Sequence, residues 1–219
     1  MSRCSCPQAH RPRRIVLTGG PGAGKTAILE LIRRSTCRHV RVLPESAGIV
    51  FGGGFPRGET PSLRRAAQRA IFYVQRELEE ATSSEDLAIV VCDRGTVDGL
   101  AYWPGPEDLW SSLGTSLADQ YARYDTVIHL RTPPLGNGYN HSNPLRVETA
   151  AEAAVLDAKI AVAWTGHPHR FEVQATDDFL TKASRAIAIV RGELPPCCRS
   201  LLQEGAFERA IGAPAVDGA

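Results

Sequence analysis

Short apolar runs and helically spaced apolar stripes alternate along the chain. Ile15-Val16-Leu17, Val40-Arg41-Val42-Leu43, Leu87-Ala88-Ile89-Val90-Val91-Cys92 and Thr126-Val127-Ile128-His129-Leu130 are strand-length segments. The third is unbroken, as expected of a strand buried on both faces. A fifth run spans His169–Ala175. Between these runs the spacing changes. Ile28, Leu29, Leu31 and Ile32 share one helix face, and Ala66, Ala67, Ala70, Ile71, Val74 and Leu78 line a longer helix. The pattern predicts strands at 14–19, 40–46, 87–92, 126–130 and 169–175. Helices are expected from the first glycine loop to about Thr36, from Pro61 to about Glu80, in a Pro/Gly-broken stretch over 96–124, over 148–163, and from the Thr176-Asp177-Asp178 cap to about Arg191. Thr60 and Pro61 mark the start of the long helix. Alternating strands and helices imply right-handed crossovers, hence an α/β fold with a five-stranded parallel sheet sandwiched by helices. Such a sheet binds ligands beyond the carboxyl ends of its strands.

Residues 1–13 read as a disordered arm, 14–194 as one domain and 195–219 as a tail with one short helix near 199–210. Residues 131–147, rich in Pro, Gly and Asn, are too long for an ordinary connection and read as a lid. Phe51–Gly58 reads as a mobile glycine loop. Its Gly-Phe-Pro-Arg resembles part of a nucleoside monophosphate kinase motif but follows the wrong strand, so it is read as coincidence.

Composition narrows the classes. The chain has 219 residues, is 43% hydrophobic and carries a formal net charge of +1, which supports a buried core and does not imply a broad nucleic-acid-binding surface. No apolar run approaches the roughly 20 residues of a membrane span, and the basic, polar N-terminus is not a secretory signal. None of the six cysteines, Cys4, Cys6, Cys37, Cys92, Cys197 and Cys198, forms a C-x-x-C pair. Reduced thiols in a cytoplasmic protein are expected. A zinc site joining Cys4 and Cys6 to Cys197 and Cys198 would match no standard zinc spacing.

The decisive segment is Gly19-Gly20-Pro21-Gly22-Ala23-Gly24-Lys25-Thr26. It fits G-x-x-x-x-G-K-[ST], between a predicted strand and a predicted helix. In that context the backbone N–H groups of Gly20, Pro21's neighbours Gly22, Ala23 and Gly24, and the helix start form a nest for phosphates. Lys25 is expected to reach the β- and γ-phosphates, and the Thr26 hydroxyl to hold Mg²⁺. A nucleoside triphosphate, ATP with Mg²⁺, is the expected ligand.

Other chemistry-bearing residues lie at strand ends. Asp93 closes a hydrophobic strand, as a Walker B carboxylate does beside the P-loop Ser/Thr. Arg94 is expected to point to the opposite side in extended geometry, where it can meet a phosphate or an acceptor. Glu45 ends the second strand; it either takes a proton from an attacking hydroxyl or caps a helix or loop. Asp98 is a weaker second base. Arg131 and Arg146 flank the lid and can stabilise charge on a transferred phosphoryl group. Gln68, Phe72, Tyr73 and Gln75 lie on the long helix, where an amide and an aromatic ring can meet an acceptor; packing for Phe72 and solvation for the glutamines is the simpler reading. Packing is also the simpler reading for Tyr102 and Trp103. His129 reads as a satisfied interior group.

The glycine loop, Leu43-Pro44-Glu45-Ser46-Ala47 and Asp93-Arg94-Gly95-Thr96-Val97-Asp98-Gly99-Leu100-Ala101-Tyr102 together resemble the small AAA-domain ATP-binding proteins over about residues 14–191. These are similar to the ribosylnicotinamide kinase module and, more distantly, to deoxynucleoside and thymidylate kinases. The resemblance implies Glu45 as base, Asp93 as Mg²⁺ partner and Arg94 as phosphate contact. Gly95 stands where those kinases have Ser, and Ser46 where they often have Pro. The expected activity is transfer of the γ-phosphoryl group of ATP to a small acceptor of unidentified structure. An ATP-hydrolysing switch is the second reading, and a module whose ATP is structural the third. The chain has no Asn-Lys-x-Asp guanine motif, and nothing after residue 191 is long enough for a motor-type helical subdomain.

Overall fold

The structure is a computed structural model that describes residues 9–133, 149–175 and 178–199. Five strands, β1 (Arg13–Thr18), β2 (Val40–Leu43), β3 (Ile89–Asp93), β4 (Thr126–Leu130) and β5 (Arg170–Val173), form one parallel sheet in the order β2-β3-β1-β4-β5. The chain adopts the expected five-stranded parallel α/β architecture.

The pleat of β1 divides the core. Ile15 and Leu17 face one layer, in which α1 (Lys25–Ser35), α7 (Phe179–Glu193) and α8 (Pro196–Arg199) cover the sheet. Val16 faces the other, which holds α3 (Pro61–Glu80), a 3-10 turn at Thr96–Ala101, α4 (Leu109–Leu113), α5 (Leu117–Tyr121) and α6 (Ala150–Ala163). Alternate side chains of one strand thus reach opposite faces, each with its own helical cover. In α1 the predicted stripe Ile28, Leu29, Leu31 and Ile32 is buried, while Arg33 and Arg34 leave the core and pair with Glu30.

Several boundaries differ from expectation for local reasons. Pro61 opens α3 as expected, but the Thr60 side chain makes no cap bond. Asp178 does cap α7, accepting from Leu180 N at 2.9 Å and Thr181 N at 3.0 Å. The strand at 40–46 stops at Leu43, and Ser46–Gly52 forms a short helix, α2, that carries no periodic signal in the sequence. The 96–124 stretch breaks into the 3-10 turn and two five-residue helices. Most of the expected lid, the expected helix near 199–210 and Arg146 lie outside the described residues. Among the described residues no helix is long and apolar enough to cross a membrane.

Candidate functional site

The loop between β1 and α1 is anchored on its outer side before any ligand is considered. Gly19 has φ +133°, and a Cβ there would lie 2.1 Å from the Leu130 carbonyl oxygen. Only glycine lets β1 leave the sheet so close to the end of β4. The Gly20 N–H, expected in the phosphate nest, instead donates outward to Asp157 Oδ1 at 2.9 Å. Thr132 Oγ1 donates to the Pro21 carbonyl at 3.3 Å, and Lys182 Nζ to the Ala23 carbonyl at 2.8 Å and the Arg131 carbonyl at 2.6 Å. Asp157 also meets His129 Nε2 at 2.9 Å and Arg131 Nη1 at 3.1 Å. Helices α6 and α7 therefore reach under the sheet edge to fix the glycine loop.

Lys25 is folded onto that loop. Its Nζ donates to the Gly19 carbonyl at 2.9 Å and the Gly20 carbonyl at 3.0 Å. Burial, seconded by Arg94, lowers its pKa to about 8, against the pull of Asp93, Glu45 and Asp98.

Asp93 ends β3 facing the same cleft. Its Oδ1 is buried and has no hydrogen-bond partner among the described residues. Burial raises its pKa to about 6, although Lys25 and Arg94 favour the charged form. An unpartnered buried carboxylate oxygen is costly unless something arrives to use it. The exposed Thr26 hydroxyl lines the same cleft. Oxygen donors of this kind fit a hard divalent cation bound beside phosphates.

Arg94 departs from the extended geometry expected of it. Its φ of +69° is the left-handed region, the one non-glycine instance among the described residues. That turn swings the guanidinium back over the cleft instead of to the far side. Its Nε donates to Glu45 Oε1 at 2.6 Å and its Nη1 to the Gly19 carbonyl at 3.3 Å. Burial opposes the charge on Arg94, but Tyr102, Glu45, Asp98 and Asp93 hold its pKa above the ordinary value. Glu45 stands at the N-cap of α2 yet makes no side-chain cap bond. Burial works against its ionised form, but Arg94 and Lys25 outweigh it and hold the carboxyl below the usual range. The carboxylate faces the cleft with 38% of its side chain exposed.

Asp98 is committed elsewhere. It accepts from the Thr18 hydroxyl and from Gly95 N at 2.7 Å, and is 3% exposed. It locks the turn that carries Asp93 and Arg94 and is a positioning residue rather than a second base. Gly95, where related kinases carry Ser, has its own explanation: a Cβ would lie 2.8 Å from the fully buried Trp164.

The cleft, of about 1460 Å³, continues from the glycine loop into a second compartment bounded by α2, α3 and the 3-10 turn. Phe51, Arg57, Gln68, Phe72, Gln75 and Tyr102 line it. Gln75 is buried, not solvated, and donates to Glu79 Oε1 at 2.9 Å. Tyr73 is 52% exposed and lies outside the cleft. Trp103 donates to the Glu107 carbonyl and does not line it. His129 is interior, as expected, but only its Nε2 is paired, and its buried Nδ1 has no hydrogen-bond partner among the described residues. Arg131 points at Asp157 and Glu172 rather than over the phosphate loop.

A family profile described as an AAA domain matches residues 14–180. The chain belongs to the AAA-domain family of P-loop NTPases. No match was found among the curated proteins. Nucleotide binding follows from this membership, and in this AAA-domain protein the start of α1 supplies Lys25 and Thr26, and the ends of β2 and β3 supply Glu45, Asp93 and Arg94, around one cleft. Sequence reasoning missed Asp157 and Lys182. A signal was present: Asp157 shares the buried face of α6 with Ala153 and Ile160, and Lys182 that of α7 with Ala186 and Val190. A charged residue on an apolar stripe needs a partner.

Proposed function

We propose that this protein is an ATP-dependent phosphotransferase that moves the γ-phosphoryl group to a hydroxyl of a small acceptor, a nucleoside or nucleotide being the best-matched class. The observation that carries this reading is the Glu45–Arg94 pair at the junction of two compartments, the phosphate loop on one side and an amide- and aromatic-lined pocket on the other. A switch that only hydrolyses ATP has no use for a carboxylate backed by a second pocket.

In this reading Lys25 exchanges the Gly19 and Gly20 carbonyls for the β- and γ-phosphates. Arg94 meets the transferred group with a permanent charge. Thr26 and Asp93 would hold Mg²⁺, which would supply positive charge to offset the charge developing on the phosphates. The acceptor oxygen attacks the γ-phosphorus, the bond to the leaving ADP oxygen breaks, and the acceptor proton passes to Glu45. A carboxylate is a weak base, but a loose phosphoryl-transfer transition state asks for little proton removal before bond cleavage. Gln68 and Tyr102 bound the acceptor side, and most of the rate comes from positioning.

The test is ADP release from ATP and Mg²⁺ with pooled nucleosides, nucleotides and other hydroxyl acceptors, with Lys25→Ala as blank. Release that rises with one pool and collapses in Glu45→Gln supports the transferase. Slow release that no pool stimulates, unchanged in Glu45→Gln, overturns it in favour of a regulatory ATPase.

A further inference from the structure

At the amino ends of the strands, opposite the nucleotide cleft, a second cluster of reactive side chains is assembled. His10 precedes β1, His39 precedes β2, and Cys198 comes from α8. One donor atom from each lies within 4.8 Å of the others. Cys198 Sγ is 3.6 Å from His39 Nδ1; Cys197 Sγ is 3.8 Å from His10 Nε2 and 4.0 Å from Cys198 Sγ. His39 and Cys198 are each 1% exposed.

We propose that His10, His39 and Cys198 form a structural zinc site, with the Cys197 thiol closing the tetrahedron. With Zn–N of about 2.0–2.1 Å and Zn–S of about 2.3 Å, the edges of a tetrahedral site are about 3.3–3.8 Å. The close donor pairs of this cluster already sit near those separations, from three segments remote in sequence. Mixed thiolate and imidazole donors favour zinc over hard cations. An outer carboxylate is also present: Asp86 Oδ1 accepts from the His10 backbone N–H at 3.1 Å, and Asp86 Oδ2 is 3.7 Å from His39 Nε2. Such a partner orients a metal-bound imidazole.

Arg38 Nε donates to His39 Nε2 at 3.2 Å, so the proton of the neutral ring is on Nδ1, towards Cys198. Zinc takes the Nδ1 lone pair: that proton leaves to water, one from water binds Nε2, the Arg38 N–H turns away from that nitrogen, and Asp86 Oδ2 accepts the new Nε2–H as a hydrogen bond. The two thiol protons leave to solvent, two for each zinc bound. The metal would staple the segment before β1 and helix α8 to the start of β2. It takes no part in the nucleotide cleft, so the proposal stands apart from the phosphotransferase reading.

The untagged full chain, reduced and stripped with chelator, is reloaded with Zn²⁺ and weighed by native mass spectrometry. Affinity is read by competition with a chromophoric chelator, and geometry from the absorption of the Co²⁺ form. One zinc per chain is expected, with a thiolate-to-cobalt charge-transfer band and the intense visible bands of tetrahedral cobalt. His39→Ala and Cys198→Ser should each weaken binding at least about 100-fold, and Asp86→Asn about tenfold. His10→Ala alters a half-buried side chain outside the core, so it keeps the test decisive where Cys198→Ser fails to fold. Substoichiometric zinc, a cobalt spectrum without thiolate character, or His10→Ala binding zinc as tightly as the parent overturns the site. Unchanged affinity in Cys197→Ser removes Cys197 as the fourth donor.

Discussion

Arg94 Nε donates to Glu45 Oε1 across 2.6 Å, tying the end of β3 to the end of β2 above the phosphate loop. The bond exists because Arg94 occupies a left-handed backbone conformation and because Glu45, although at a helix N-cap, leaves that helix uncapped. Both local preferences yield to one ion pair at the mouth of the cleft. The pair leaves a charge of each sign where an acceptor and a phosphoryl group would meet.

Glu45→Gln keeps the side-chain shape and removes the proposed base. The transferase rate is expected to fall by about 10²–10⁴, while nucleotide affinity, measured by fluorescence titration with a nucleotide analogue, changes little because the phosphate loop is untouched. A parallel loss of nucleotide affinity would mean that Glu45 serves the loop rather than the acceptor.

The raised pKa of Asp93, about 6 against 3.8 for the free carboxyl, links the site to stability. Between these values the folded state holds more protons than the unfolded one, so stability declines as pH rises from about 4 through 6. Asp93→Asn removes that loss. In urea titrations without nucleotide, the variant is expected to gain on the parent by about 2–3 kcal/mol between pH 4 and pH 7, from about 1.4 kcal/mol per unit. It should also lose Mg²⁺-dependent nucleotide binding. A gap between variant and parent that is constant with pH would sink this account.

Asp157 anchors the loop from behind. Asp157→Ala strands the Gly20 N–H and frees His129 and Arg131, at about 1–3 kcal/mol for each buried donor left unpaired. Calorimetry should show a lowered melting temperature, and titration a weakened nucleotide affinity, although this side chain does not line the cleft. Asp157→Asn, which can still accept from Gly20, should recover part of both.

Glu79 is fully buried in α3, where it pairs with Arg123 and accepts from the Tyr124 hydroxyl at 2.7 Å. Tyr124 in turn accepts from Thr96 N at 2.8 Å, beside the turn that carries Arg94. Arg123→Ala leaves a buried carboxylate without its cation and should cost about 3–5 kcal/mol in chemical denaturation. Adding Glu79→Gln to that variant should return a large share of the loss. If the double variant is no more stable than Arg123→Ala, charge compensation is not the reason for the pair.

Much of this site was legible in the chain because its parts are contiguous. The loop from Gly19 to Thr26 lies within eight residues, and Asp93-Arg94 directly follows an apolar run. The rest was illegible for identifiable reasons. Arg94's direction depends on a left-handed backbone torsion, and no periodicity encodes it. Asp157 and Lys182 reach the loop from helices 137 and 159 residues away in sequence from their partners Gly20 and Ala23. The helix at Ser46–Gly52 is too short to show an apolar stripe.

Hydrophobic period and glycine spacing decided the strands, the main helices, the parallel sheet and the phosphate loop, because those features rest on local sterics and on which side chains avoid water. The tertiary structure alone decided that Glu45 meets Arg94, that Asp157 holds Gly20, and that His10, His39 and Cys198 converge at the opposite end of the sheet. Those contacts join segments whose neighbours in space are set by strand order, and strand order is settled only when the whole core closes.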